Sequence, residues 1–140
     1  MSRVFWDTNL FIYLFEDSGT LSEQVTTLRG RMLVRGDQLL TSAMTLGEIL
    51  VKPTKRGDTE SVAYYLDLIR TTAIVLPFEE REAIIYARLR TDSSLRPPDA
   101  IQLACAAAAG VDLFITNDTR LHAKQVSGIH FIAPLDRIPI

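Results

Sequence analysis

The sequence predicts an α/β domain built on a parallel sheet, and three observations predict it. Short β-rich runs alternate with segments of helical period along the chain, the order that produces βα units with parallel strands. At 140 residues, 47% of them hydrophobic, the chain has the size of one domain and enough apolar side chains to bury a core. No repeat, low-complexity tract or linker interrupts the pattern, so residues 1–140 read as a single domain.

Each element follows from its residues. Arg3-Val4-Phe5-Trp6 reads as a first buried strand, after which Asp7-Thr8-Asn9 opens a helix over Leu10 to Phe15. Leu21, Val25, Leu28 and Met32 keep helical spacing on a second helix. Gln38 to Thr41 is a second strand, and Ser42 suits the N-cap of the helix that carries Glu48. Asp58 can cap the next helix, whose Val62, Tyr65, Leu66 and Ile69 share one face. Ala73 to Leu76 forms a third strand, and Pro77 starts a further helix. That helix has Glu79, Glu80 and Glu82 early and Arg88 and Arg90 late, complementing its dipole. Pro97-Pro98 begins an alanine-rich helix that Gly110 stops. It is apolar almost all round from Asp99 to Ala109, so it should lie buried against the sheet. Leu113-Phe114-Ile115 is a fourth strand leading into Thr116-Asn117-Asp118, and Ile129 to Ile132 is a short fifth.

Charge and composition exclude several functions. The formal net charge is −2, so the whole-molecule field offers no attraction to a polyanion. That weighs against a plain DNA-binding module with a basic stripe. A nuclease is not excluded, because metal-binding carboxylates lower the net charge themselves. The single cysteine, Cys105, rules out an intramolecular disulfide and a multi-cysteine zinc site, and its alanine-rich surroundings suit a buried structural thiol. No apolar stretch reaches the roughly 18 residues a membrane helix needs. Asp7 and Asn9 interrupt the first apolar run, unlike a secretory signal. The expected location is cytoplasmic.

In open parallel sheets, ligands bind beyond the carboxyl ends of the strands. Asp7 and Asp118 sit directly at two such ends, and Glu48 comes about a turn and a half into the helix after the second strand. Asp99 lies in the first turn of the helix leading into the fourth strand, and joins them only if that helix also starts at the crevice. Carboxylates that converge repel one another and raise each other's pKa, unless a cation compensates. All-oxygen donors, with no Cys or His at ligand spacing, suit Mg²⁺ or Mn²⁺ rather than zinc. Four acids, a hard dication and a phosphodiester then make a coherent chemistry, hydrolysis by metal-activated water.

These residues carry a resemblance. Asp7-Thr8-Asn9 after a first strand, Glu48 in Thr45-Leu46-Gly47-Glu48, Asp99-Ala100 opening an alanine-rich helix, and Thr116-Asn117-Asp118 after a strand resemble the pattern of the PIN-domain family. The order and spacing match from Asp7 to Asp118, and the size resembles VapC-type toxins of toxin–antitoxin pairs. The resemblance implies a three-layer α/β/α sandwich with a central parallel sheet and Mg²⁺- or Mn²⁺-dependent cleavage of RNA. It also implies a homodimer and a cognate antitoxin protein. On this chain, Asp7, Glu48, Asp99 and Asp118 become the metal ligands and catalytic residues, with Asn9 and Thr116 as supporting groups that orient them. Where the family often has an aromatic two or three positions after the last acid, this chain has Arg120 and Leu121.

Taken singly, each acid has an ordinary explanation. Asp7 or Asn9 can cap the first helix, Glu48 can pair with Lys52 one turn on, Asp99 suits a helix dipole, and Asn117-Asp118 suits a turn. Their joint order at one sheet edge favours a site. Arg96, three residues before Asp99, is the basic residue best placed for the substrate backbone, whereas Lys52, Lys55 and Arg56 read as a solvated helix end. Neither His122 nor His130 has a partner arrangement for catalysis. Phe11, Tyr13, Leu14 and Phe15 make the first helix apolar on nearly every side, which suggests a partner or dimer surface. The competing functions are a housekeeping RNA-processing nuclease, a non-catalytic metal-stabilised RNA- or partner-binding module, and a phosphotransfer domain using Asp7. The last is disfavoured because the second acid such enzymes place two residues on is Asn9.

Overall fold

Successive side chains of a strand point to opposite faces, and here both faces are covered. In the computed structural model, which describes residues 1–140, Val4 and Trp6 enter one core and Phe5 enters another, all three fully buried. Leu39 and Leu40 divide in the same way, as do Leu113 and Ile115 against Phe114. Strands buried on both faces read as continuous apolar runs, which is how these segments appear in the sequence.

The strands are β1 (Arg3–Trp6), β2 (Gln38–Ser42), β3 (Ile74–Leu76), β4 (Val111–Ile115) and β5 (Ile129–Ala133). They form one sheet in the order β3-β2-β1-β4-β5, parallel throughout. The chain steps outward from β1 to β2 and β3, then crosses back to β4 and β5 on the other side of β1. That reversal puts helices on both faces. On one face, α1 (Thr8–Phe15) and α2 (Thr20–Arg35) bury Leu10, Phe11, Val25, Leu28 and Met32. On the other, α6 (Pro97–Ala109) buries Leu103, Cys105, Ala106 and Ala107, with Ile85 and Leu89 of α5 (Glu80–Leu89) packed alongside. Ile49 of α3 (Ala43–Lys55) joins the first core, and Tyr65 of α4 (Thr59–Thr72) meets Phe15 at 6.3 Å between ring centroids. The result is a three-layer α/β/α sandwich.

The expected caps are in place. Ser42 Oγ accepts from the Met44 N–H at 3.1 Å and Asp58 Oδ1 from the Ser61 N–H at 3.0 Å. Two prolines open α6, and Gly110 ends it in the left-handed region at φ 67°. Gly128 has a stricter role: at φ 97°, a Cβ there would stand 2.5 Å from the Ala107 carbonyl oxygen, so the loop before β5 passes α6 too closely for a side chain.

Four expectations need correction. The helix expected from Pro77 begins at Glu80. Its start is set by Glu82, whose carboxylate accepts from the Glu79 backbone N–H at 3.3 Å, a capping arrangement that Pro77 lacks. The first helix begins at Thr8 rather than Leu10, because Asp7 caps it. Ala73 is the C-cap of α4, so β3 is one residue shorter than expected. Finally, the apolar excess of the first helix is absorbed internally. Phe11 is fully buried, and Tyr13, Leu14 and Phe15 pack half-buried against the same core. The large apolar side chains left exposed include Val34, Tyr64 and Phe131. No helix is long and apolar enough to cross a membrane.

Candidate active site

Where strand order reverses, the loops after β1 and β4 diverge and leave a crevice at the carboxyl edge of the sheet. Asp7 follows β1 directly, and its backbone N–H donates to the Ile115 carbonyl at 3.1 Å, which ties the two strand ends together. The Asp7 carboxylate is fixed at both oxygens. Oδ1 accepts from the Thr8 N–H at 2.8 Å, and Oδ2 from Thr116 Oγ1 at 2.8 Å. The fully buried Thr116 also accepts from the Asp118 N–H at 3.1 Å, so one hydroxyl sets both Asp7 and the backbone that carries Asp118. Asp118 then caps the short 3-10 turn Thr119–Leu121.

Glu48 lies on α3, and α6 begins at the same crevice, bringing Asp99 with it. All four acids line one cleft of about 290 Å³, together with Thr8, Asn9, Ile12, Pro98 and Gln102. The alternative partner for Glu48, Lys52, is not paired with it. Glu48 Oε1 instead accepts from Thr8 Oγ1 at 2.7 Å.

Behind Thr8 runs a buried chain of polar groups. Thr41 Oγ1 stands 3.0 Å from the Trp6 carbonyl oxygen and 2.8 Å from Thr45 Oγ1. A carbonyl can only accept, so the single Thr41 proton goes there and Thr45 donates to Thr41. The amide of Gln102, 2% exposed, donates to Thr45 Oγ1 at 2.8 Å and to Thr8 Oγ1 at 3.1 Å. Its carbonyl accepts from Ser42 Oγ. With that lone pair of Thr8 occupied, the Thr8 proton is directed to Glu48. Every member is satisfied, the condition under which a buried polar network gives rigidity.

The electrostatics differ acid by acid. Burial raises the pKa of Asp7 above the usual carboxylate value, with the Asp118 charge adding to it and the Thr116 and Thr8 hydrogen bonds opposing. Burial likewise raises Glu48, with the Asp7 and Asp99 charges adding to it and the Thr8 hydrogen bond opposing. Asp99 is raised by burial and by the Asp118 and Asp7 charges, against the opposing charges of Arg120 and Arg96. Asp118 is lowered, chiefly by its hydrogen bonds to Arg120. The Arg120 guanidinium bridges two acids, pairing with Asp118 and reaching Asp99 Oδ2 at 3.3 Å. No three Asp, Glu, His or Cys side chains stand close enough to hold a metal ion in this arrangement.

The seven residues expected at the site therefore fare differently. Asp7, Glu48, Asp99 and Asp118 share the cleft, and Thr116 orients Asp7. Asn9 lines the cleft but is exposed and hydrogen-bonds to no acid; the orienting role on that turn belongs to Thr8. Arg96 is exposed at the N-cap position of α6, close enough for its charge to act on Asp99 and Asp118. Sequence reasoning missed Thr8, Thr45, Gln102 and Arg120. A glutamine inside an otherwise apolar buried helix was a readable signal for one of them. His122 is half-buried with Nε2 2.7 Å from the Thr116 carbonyl oxygen, and His130 is exposed beside Asp112, so both stand outside the cleft.

Comparison with known proteins agrees with this architecture. The chain is similar to VapBC2 from Rickettsia felis bound to a DNA fragment from their promoter, at 15% identity and TM-score 0.74, over 94% of this chain and 98% of that one. It is similar to DNA-bound VapBC from Salmonella typhimurium at 19% identity and TM-score 0.72, over 96% and 99%. It is also similar to a toxin–antitoxin complex from Klebsiella pneumoniae at 23% identity and TM-score 0.60, over 90% and 94%. At these identities the likeness establishes the fold. Comparison with curated proteins gave no match. The PIN domain profile matches residues 4–126, which takes in β1 from its second residue, β2 to β4, all six helices and all four acids: the chain belongs to the PIN domain family.

Proposed function

We propose that this chain is a Mg²⁺- or Mn²⁺-dependent endoribonuclease, the toxin of a toxin–antitoxin pair, in which Asp7, Glu48, Asp99 and Asp118 hold the cation. The observation that carries the reading is the convergence of four carboxylates from separate elements on one cleft at the switch point of the sheet. Burial and mutual repulsion push three of them toward the neutral form, a cost that a dication would relieve. The donors are all oxygen, which fits a hard cation.

A bound dication would supply Lewis acidity, making water nucleophilic near neutral pH and offsetting charge on the phosphate. The side chains of this chain do the rest. Thr8 fixes one oxygen of Glu48, which lines the cleft. Thr116 and the Thr8 N–H hold Asp7 so that it needs no reorganisation. Arg96 at the rim offers a phosphate contact. On the other flank, a hollow of about 320 Å³ shares Ile12 and Glu48 with the cleft and is lined by Phe15, Tyr65, Lys52 and Arg56. Cations beside aromatic faces suit single-stranded RNA, with phosphates on the former and a base against the latter. Lys52 and Arg56, read from the sequence as a solvated helix end, thereby gain a role.

The solved relatives support the partner. The Klebsiella pneumoniae structure is a toxin–antitoxin complex, and we extend that pairing to this chain as a cognate antitoxin; the homodimer is a separate proposal that rests on the family resemblance. The direct experiment incubates the purified protein with RNA. Cleavage should require Mg²⁺ or Mn²⁺ and disappear in EDTA; equal cleavage in EDTA overturns the reading. A short upstream reading frame whose product co-purifies with the chain and stops cleavage would identify the antitoxin.

A further inference from the structure

The guanidinium of Arg120 occupies the place where the proposed function needs a cation. Its Nε donates to Asp118 Oδ1 at 2.9 Å, Nη2 pairs with Asp118 Oδ2, and the same Nη2 reaches Asp99 Oδ2 at 3.3 Å. The Arg120 backbone N–H adds a further bond to Asp118 Oδ1 at 3.1 Å. Both oxygens of Asp118 are thus committed to one residue.

We infer that Arg120 is a resident counter-ion that a divalent cation displaces, so that metal binding and release of the guanidinium from Asp99 and Asp118 are one exchange. This rests on the metal-dependent reading above. The physical case has three parts. One positive charge bridges two of four clustered carboxylates, so the cleft keeps an excess of negative charge that a dication answers better. The Arg120 side chain is 44% exposed, and exposed ion pairs are weak, so the guanidinium holds the acids apart from solvent cations without locking them. Freed from Asp118, the side chain stays anchored two residues away on the 3-10 turn, at the cleft mouth, where its fork can receive a phosphate.

The test is Mn²⁺ binding by titration calorimetry, which requires no turnover, on wild type, Arg120→Gln and Arg96→Gln. Arg96 is the control, since it acts on the same acids through space but makes no hydrogen bond to them. Exchange predicts about fivefold tighter Mn²⁺ binding for Arg120→Gln, the worth of a released exposed ion pair, and a smaller gain for Arg96→Gln. Arg120→Lys, which keeps the charge but not the fork, should fall between wild type and Arg120→Gln, and it serves if the glutamine variant does not fold. Equal gains from both arginines would mean that net charge alone matters and would overturn exchange. Unchanged or weaker binding in Arg120→Gln would do the same while leaving the metal site standing. Absence of Mn²⁺ binding in every form would overturn the metal site itself.

Discussion

The two ends of the sheet treat acids in opposite ways. At the amino end, Asp37 accepts from the Ser2 N–H at 2.6 Å and from Arg35 Nε at 2.9 Å, and its side chain is fully buried. Asp112 accepts from the Arg3 N–H at 2.8 Å, and the Arg3 guanidinium ties β1 to Gln38 and to the last carbonyl of α6. Each acid there has its own donors, and the strand starts are fastened. At the carboxyl end, four acids share one cleft, one guanidinium bridges only two of them, and three are held in environments that disfavour their charge. A fold that can satisfy carboxylates so fully at one edge has left them under strain at the other. Such local conflict belongs to functional sites.

The largest effects should come from breaking the carboxyl end. Asp7→Asn and Asp99→Asn should each lower metal-dependent RNA cleavage by more than about 100-fold. Neither should lower the metal-free melting temperature by more than a degree or two, because each removes a repelling charge. A variant that melts early would mark its acid as structural, like those at the opposite end. Asp37→Asn should give the reverse pattern, losing about 2 kcal/mol of stability in denaturant titration with the cleavage rate intact.

Gln102 sharpens the contrast, because it lies at the carboxyl end yet is as fully satisfied as Asp37. Gln102→Met should strand the Ser42, Thr45 and Thr8 hydroxyls, costing about 1–3 kcal/mol. It should also slow cleavage about tenfold by releasing Glu48, a loss seen in kcat more than in KM. The smallest effect concerns Asp92, whose carboxyl is held down to about 2, first by its hydrogen bond to Lys124. Its unfolded value is near 3.8, so its stabilisation is fully present above that pH and disappears as pH falls toward 2. Melting curves of wild type and Asp92→Asn should therefore differ at neutral pH and converge near pH 2.

Four acids could be read from the sequence because each stands beside a punctuation mark: two strand ends, a capped helix after a strand, and a Pro-Pro helix start. Strand limits held to within a residue or two for the same reason. Arg120 reads in the sequence only as the replacement for an aromatic; its contact with the acids stays hidden because the direction of a long side chain depends on the 3-10 turn at Asp118, which no periodicity announces. Thr8 stands between two more conspicuous neighbours, and the sequence points to Asn9 for its work, although adjacent residues of a helix point to different faces and only Thr8 meets Glu48. Pro77 misled because proline tolerates a helix start without supplying the capping partner that fixes one.

The central claim is that acids distant in the chain meet to hold one hard cation. Anomalous diffraction from a crystal soaked in Mn²⁺ tests it most directly. The account predicts a Mn²⁺ peak in the cleft within about 2.0–2.6 Å of carboxylate oxygens from at least two of the four acids, Asp99 or Asp118 among them, with Arg120 swung away from Asp118. A structure with the acids apart, or with Mn²⁺ bound elsewhere and the cleft still closed by Arg120, would contradict it.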